Sequence, residues 1–349
     1  MRILHTYLHA SSFVNKDQAF FETLGTVRRF QFDVRKKYLL PLVFLQQFYH
    51  LLIYGFRTDI FICQFAGYHS FLPALFAKIT GKKSLIISGG TDCVSFPGIG
   101  YGNFYRPILR DFTKWSYQLS SHICPKHDTL WFTEYNYDSA EPHQQGIKAF
   151  VPTIQDKYTV IRNGYDPEKW PLLKLNRKPK SFITVSGAFE YPFQVQLKGI
   201  DLILEAAVEF PDYHFTIAGV PEWKKLDVKS NNVTILPPIP HNDLHRIFNE
   251  HEYYLQLSMA EGFPNALCEA MLCGCTPIVS NVFSMPEITG NTEMAISIRK
   301  TQELITILKS AETTDEETSS KNRKLISERY HFNDRNKNLA KVIIGLMND

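Results

Sequence analysis

Apolar positions along this chain fall into short dense runs, set apart by polar segments rich in turn residues. "RILHTYL" (residues 2–8) and "TDIFICQF" (58–65) have the β-rich character of strands. A helix is expected from about Lys16, and "SFLPALFAKITG" (70–81) reads as a helix ending at Gly81. "KSLIISGG" (83–90) is a strand closing in a glycine turn, and "SHICP" (121–125) is a further short strand. "YTVIRNGYD" (158–166) is expected to be a strand meeting an Asn-Gly turn. Strands that alternate with helices predict a parallel sheet.

The alternation then restarts. "SFITVSG" (181–187) is strand and turn, and "GIDLILEAAVEF" (199–210) is an amphipathic helix stopped by Pro211. "YHFTIAG" (213–219), "NVTILP" (232–237) and "YYLQLS" (253–258) are strands, with a helix over "HNDLHRIFNEH" (241–251) and a last strand at "TPIVSN" (276–281). The polar stretch "AETTDEETSSKNRK" (311–324) reads as a solvated connection or a helix end. The fold class is therefore α/β, with two Rossmann-like domains over 1–165 and 166–331 and a linker near 166–180. A terminal helix at about 332–349 is expected to pack back on the first domain. Two domains also suit 349 residues, because one core rarely grows past roughly 250–300.

Composition narrows the picture. Apolar residues make up 44%, enough for two cores. The start "MRILHTYLHA" lacks the apolar core and cleavage pattern of an export signal. A cytoplasmic, reducing compartment with free thiols is the expectation for the six cysteines. "CGC" (273–275) is read as small buried residues between a helix end and a strand. Residues 1–165 hold 18 Lys and Arg against 11 Asp and Glu, while 166–349 hold 20 against 24. A basic half joined to a mildly acidic one points to an anionic surface or ligand on one side. There is no nucleic-acid motif. The first strand is followed by "HASSFVNK", with no glycine fingerprint, which argues against a dinucleotide-dependent dehydrogenase.

The chemistry concentrates in "EGFPNALCEAMLCG" (261–274). Pro264 suits a helix start and Gly274 the position just past its end, so a helix is expected from about Asn265 to Cys273. Glu261 then lies in the loop before the helix and Glu269 about one turn in. The N–H groups of Gly262, Phe263, Asn265 and Ala266 crowd the entrance and form a site for an anionic or oxygen-rich ligand. Beside such donors, two carboxylates can hold two parts of an elongated ligand. A capping Glu and a second Glu on a solvated face account for the same pattern equally well.

Taken with its surroundings, the pattern resembles a family. Glu-x7-Glu within "EGFPN…EAM.CG.TPIVS" is similar to the signature of the GT-B retaining glycosyltransferases of family 4, the glycosyl transferases group 1. "VIRNGYD", "LKGIDLILEA", "FTIAG", "NVTIL" and "SMPEI" follow in the family's order. The likeness is strong over about 158–290 and looser over 1–157. It implies two Rossmann-like domains facing across a cleft, with a UDP- or GDP-linked sugar donor on the second and no cofactor. It implies that Glu269 binds the ribose, and that Glu261 with Gly262, Phe263, Pro264, Asn265 and Ala266 holds the donor sugar. It also implies that Lys198 neutralises the diphosphate and that Gly187 touches the donor. No metal is called for, since Lys198 and the loop amides supply the positive charge and no Asp-x-Asp cluster is present. Gly90, Asp92, His69 and Asn163 are the candidates for the acceptor side. For Asp92 a turn-forming role serves as well, and for His69 a half-buried loop position does.

Three positions depart from the family. "HASSF" replaces a Gly-Gly loop, Ala188 stands where an Arg is usual, and Gly89 in "GGTD" stands where a His is expected. Residues 28–57 hold six Lys and Arg with one Asp, and 39–56 are nearly apolar. That run is too interrupted for a membrane span. Most of it is expected to be a helix packed on the first sheet, its basic end either lying peripherally on an anionic membrane or forming a solvated face. The reading is a retaining, metal-independent hexosyltransferase of glycan or polysaccharide biosynthesis. It moves a sugar from a nucleotide sugar to a saccharide or lipid-linked saccharide. The alternative is a catalytically weak, donor-binding subunit of a glycan-assembly complex, and an epimerase of the same fold is a third option.

Overall fold

A computed structural model describes the chain except residues 34–35, 174–175, 188, 190, 291–292, 312–313 and 349. The chain forms two compact units. The first comprises Met1–Glu134, Gln144–Arg162 and Asn333–Asp349, and the second Tyr135–His143 and Asn163–Phe332.

The first unit is built from β1 (Arg2–Tyr7), α1 (Ser12–Leu24), β2 (Thr26–Gln31), α2 (Leu40–Tyr54), β3 (Ile60–Gln64), α3 (Tyr68–Ile79), β4 (Lys83–Ser88), α4 (Pro107–Leu119) and β5 (His122–Pro125). Its five strands are all parallel, in the order β2-β1-β3-β4-β5. β3 and β4 are apolar almost throughout because helices cover both their faces. On one face Ile3, Ile60, Ile62, Leu85 and Ile87 meet Phe21 of α1 and Leu339 and Ile343 of the C-terminal helix, Phe332–Asn348. On the other, Leu4 and Phe61 meet Leu51 of α2 and Ala77 of α3. A short antiparallel pair, β6 (Thr133–Glu134) with β7 (Gln144–Gln145), and a single turn, α5 (Ile147–Phe150), complete the unit.

The second unit runs β8 (Lys178–Val185), α6 (Gln194–Leu197), α7 (Ile200–Ala207), β9 (His214–Ala218), β10 (Val233–Leu236), α8 (Leu244–Asn249), β11 (His251–Gln256), α9 (Asn265–Leu272) and β12 (Thr276–Ser280). It ends with α10 (Met285–Thr289), β13 (Ala295–Ile296), α11 (Thr301–Lys309) and α12 (Glu316–Arg329). Its sheet is parallel in the order β10-β9-β8-β11-β12-β13. The order reverses between β8 and β11. In such sheets ligands bind beyond the carboxyl ends of the strands at that switch point. Residues 135–143, part of the first half in the sequence reading, join this unit. Tyr135 meets Phe283, and the Arg299 N–H donates to the Tyr137 carbonyl at 2.8 Å.

Three local expectations change. Residues 26–31 form an edge strand rather than helix, and Arg28 and Arg29 there are the kind of charge that blunts an edge. Arg35 lies outside the described residues. Of residues 158–166, expected to be a strand and turn, 158–161 run alongside β5 without becoming a regular strand. The Thr159 and Ile161 N–H groups donate to the Ile123 and Pro125 carbonyls, Tyr158 pairs with Ile123 as a single bridge, and Tyr165 forms another with His331. The polar stretch after 311 begins α12. Asp315 accepts the Thr318 N–H at 2.7 Å and caps a helix that has little apolar periodicity to announce it.

The C-terminal helix is held by charge as well as by its apolar face. Arg335 Nη2 meets Asp17 Oδ1 at 2.5 Å, with side chains only 12% and 3% exposed. Losing one partner of such a pair leaves the other buried and uncompensated. Arg335→Ala is expected to destabilise the first unit by about 3–5 kcal/mol, read as a lowered denaturation midpoint. Adding Asp17→Asn should restore part of that loss, and a midpoint unmoved by Arg335→Ala would show that the pair contributes nothing.

Candidate active site

The loops that follow β8 and β11 meet at the switch point of the second sheet. After α6 the chain turns through Lys198 and Gly199 into α7. Gly199 has φ +66°, and a Cβ there would lie 2.3 Å from the Leu257 carbonyl oxygen. Only glycine permits so close an approach. The Met259 N–H donates to the Leu197 carbonyl at 2.8 Å and joins the two loops. Lys198 is thereby delivered to Glu261, with Nζ at 2.5 Å from Oε1. The same oxygen accepts from Ser258 Oγ at 2.9 Å and Gln256 Nε2 at 3.1 Å. Ser258 is set by its own carbonyl, which accepts from Ser280 Oγ at 2.7 Å. Tyr254 holds Gln256 Oε1 at 3.2 Å. Burial, with smaller contributions from Glu261 and Glu269, raises the Tyr254 phenol, so it remains a donor.

Pro264 caps α9 at its start, and Gly274, at φ +85°, follows its end. Among the described residues no protein acceptor meets the N–H groups of Gly262, Phe263, Asn265 or Ala266. The entrance is rigid. Asn265 Oδ1 accepts from Asn163 Nδ2 and from Tyr165 OH, each at 2.9 Å, and Asn163 Nδ2 also reaches the Phe263 carbonyl at 3.2 Å. Phe263 packs edge-on against Tyr330. Glu269 is buried one turn along α9 and accepts from His241 Nε2 at 2.9 Å. Trp170 meets the His241 ring edge-on at 5.1 Å.

Lys198, Glu261 and the 262–266 amides therefore converge, with Glu269 further along the same helix. Asn163, a candidate for the acceptor side, fixes the α9 entrance through Asn265 and the Phe263 carbonyl. Gly187 is exposed, with open space where a side chain would be, and Ala188 lies outside the described residues. Sequence reasoning passed over His241, Ser258, Tyr165 and Gln256. Gln256 was the most legible of these, as a polar residue inside the apolar run "YYLQLS".

The remaining candidates belong to the first unit, and each takes part in its hydrogen-bonded framework. Asp92 is buried and accepts from the Gly89, Gly90 and Ala66 N–H groups at 2.9–3.1 Å and from Tyr117 OH at 2.8 Å. Its turn-forming role is the one realised, and Gly90 is its backbone partner. His69 is buried in α3 rather than half-exposed in a loop. Its Nε2 donates to the Gln64 carbonyl at 2.7 Å, and burial pushes it down to about 4. A Cβ on Gly89 would lie 1.8 Å from the Phe65 ring, so no side chain fits there without Phe65 moving.

Solved structures share this architecture across the chain's length. HepE of Anabaena, in complex with UDP and glucose, superposes with a TM-score of 0.71 at 15% identity, covering 99% of this chain and 100% of that one. Sucrose-phosphate synthase from Thermosynechococcus elongatus gives 0.70 at 12% identity, with 99% of both chains covered. With the two parallel sheets, these likenesses define the GT-B fold. Residues 175–329 match the family described as Glycosyl transferases group 1, so the second unit carries a glycosyltransferase domain. The D-inositol 3-phosphate glycosyltransferase of Mycobacterium sp. (strain KMS) is 32% identical over 96 residues, 24% of this chain, and the chain covers 22% of that relative's length. A phosphatidylinositol N-acetylglucosaminyltransferase of Homo sapiens is 27% identical over 141 residues, 37% of this chain and 28% of that relative.

His69 makes the stability of the first unit depend on pH. Its folded value, about 4, lies below the ordinary 6.5. The unfolded chain takes up a proton near pH 6.5 and the folded chain does not, so stability falls as pH drops from about 6.5 to 4. The loss is roughly 3 kcal/mol once both values are passed. His69→Gln should flatten that fall in denaturant titrations at pH 7 and pH 4.5. An equal fall in both proteins would clear His69 of the effect.

Proposed function

We propose that the chain is a retaining, metal-independent glycosyltransferase of family 4. It moves a sugar from a UDP- or GDP-linked donor to a saccharide or lipid-linked saccharide acceptor. The observation that carries this reading is the convergence of Lys198 and Glu261 on the unpartnered amides at the entrance of α9. The glycosyltransferase domain over 175–329 and a structural neighbour solved with UDP and glucose support it.

The donor's diphosphate lies against the α9 amides and Lys198, which supply positive charge without a metal. Glu269 accepts from the ribose hydroxyls, with His241 holding its carboxylate in place. When the bond between the anomeric carbon and the diphosphate breaks, its electron pair stays on the diphosphate, and stabilising that charge lowers the barrier. The acceptor hydroxyl attacks the same face and passes its proton to a phosphate oxygen, so no dedicated base is required. In the free protein Lys198 is neutralised by Glu261. Donor binding draws its ammonium toward the diphosphate, while Ser258 and Gln256 keep Glu261 aligned on the sugar.

The crowding at Gly89 favours a second reading, a subunit that binds the donor and transfers it poorly. Labelled donor separates the two. Transfer to an acceptor supports the first reading, and binding with neither transfer nor hydrolysis supports the second. Isomerised free nucleotide sugar would mark an epimerase instead.

Glu269→Ala is expected to weaken nucleoside diphosphate binding by about 1–3 kcal/mol, the usual loss when buried hydroxyls lose an acceptor. Unchanged affinity in calorimetry would remove Glu269 from the site. Glu261→Gln should leave melting nearly unaltered while lowering transfer by on the order of 100-fold, typical of one charged group in a preorganised site. Near-normal transfer would assign Glu261 to holding Lys198 and nothing more.

A further inference from the structure

The outer face of α2 is apolar where a surface helix ordinarily carries charge. Leu42, Leu45, Tyr49 and Leu52 recur at alternating steps of three and four on one stripe of α2, continued by Tyr38 in the turn before it and Phe56 in the turn after it. All are exposed, with Tyr38 keeping 75% of its surface, Tyr49 65% and Leu45 63%. No Asp, Glu, Lys or Arg occurs between residues 38 and 56. The opposite stripe anchors the helix. Leu51 packs with Leu4, Phe61 and Ala77, and Gln47 Nε2 donates to the His69 carbonyl at 2.7 Å. The Tyr54 ring carries the Arg28 guanidinium at 3.6 Å. The exposed stripe is therefore the far side of a firmly packed helix, whereas the sequence suggested an apolar run packed away on the sheet.

The apolar surface continues onto α4. Phe44 meets Phe112 at 5.3 Å and Phe112 meets Trp115 at 5.4 Å, with Trp115 and Ile108 exposed. Cations rim it. Arg106 precedes α4, Arg110 and Lys114 lie on it, and Lys36 and Arg57 flank α2 in exposed positions. There is no acid from 34 to 58, and Asp59 is taken by Arg2 at 2.6 Å.

We propose that this face docks on a bilayer containing anionic phospholipid, with α2 lying in the headgroup plane and its outer stripe at the acyl boundary. An apolar stripe edged by Tyr, Trp and cations has the chemistry of that interface. No described helix is long and apolar enough to cross a membrane, so α2 lies on the surface. A second copy of the chain is the poorer occupant, because self-association would set the cationic rim against itself, and Asp111, the one acid on α4, is already paired with Arg110 at 3.1 Å. The inference is independent of the transfer reading, since docking needs neither donor nor acceptor.

Flotation of the full chain with vesicles tests it. The chain should float with vesicles of phosphatidylcholine and phosphatidylserine in equal parts, less with phosphatidylcholine alone, and less in high salt. Leu45→Asp with Leu52→Asp should lower binding by about tenfold or more while leaving the melting temperature unaltered, because both side chains are exposed. Arg57→Gln with Lys114→Gln should weaken binding to the mixed vesicles only. Failure of the wild type to float would overturn the proposal, as would a double Asp variant that floats like wild type. A dimer that the Asp variant breaks, with no flotation, would show that a second copy covers the face.

Discussion

One close approach holds the second unit's site together. At Gly199 the loop after β8 comes within 2.3 Å, measured from where a Cβ would stand, of the Leu257 carbonyl after β11. Without that contact Lys198 and Glu261, 63 residues apart in sequence, would face solvent on separate loops. With it, a cation and a carboxylate share the mouth of a helix where, among the described residues, the Gly262, Phe263, Asn265 and Ala266 N–H groups meet no protein acceptor. The strand order explains why the meeting happens there. β8 and β11 are neighbours whose connections leave in opposite directions, which brings the two loops side by side at the carboxyl ends of the strands.

The helix behind the mouth is secured from its other end. Arg323 donates to the Trp170, Leu272 and Pro167 carbonyls, and Arg177 donates to the Cys273 carbonyl at 2.6 Å and to those of His251 and Gly274. The last carbonyls of an α-helix lack partners of their own, and cations there oppose the negative end of its dipole. The two arginines thus anchor α9 at its closed end, leaving its open end for an anion. Asn163 and Tyr165 perform the matching task at the entrance by fixing Asn265. They are positioning residues, acting through the loop.

Much of this architecture was legible in the sequence. The strands carry dense apolar runs, and Pro264 and Gly274 bracket α9 to within a residue of where it lies. Glycine and proline act through the local backbone, so their message survives without tertiary context. The rest depended on distance. His241 reaches Glu269 across 28 residues, and Asn163 reaches Asn265 across 102. No local pattern encodes either meeting. Helix α12 was obscure for another reason, since its first turns are polar and held by an Asp cap rather than an apolar stripe. The apolar run after residue 38 misled most, because apolar character implies burial only when something covers it.

Gly89 shows how a departure from a resembled sequence pattern acquires a physical cause. Phe65, with φ +69°, follows β3 in a conformation that residues with a Cβ seldom adopt, and its N–H still bonds the Ile87 carbonyl at 2.9 Å. Its ring occupies the space into which a side chain at 89 would project. The Phe13 ring lies 5.5 Å away, and the Lys126 ammonium stands over Phe13 at 4.7 Å. An aromatic and cationic cluster therefore fills the space beside Gly89, the position where the resemblance led one to expect an imidazole. Restoring a histidine at 89 alone would collide with that cluster. The missing histidine and the strained phenylalanine form one packing unit, and any account of the first unit's chemistry must begin from the pair.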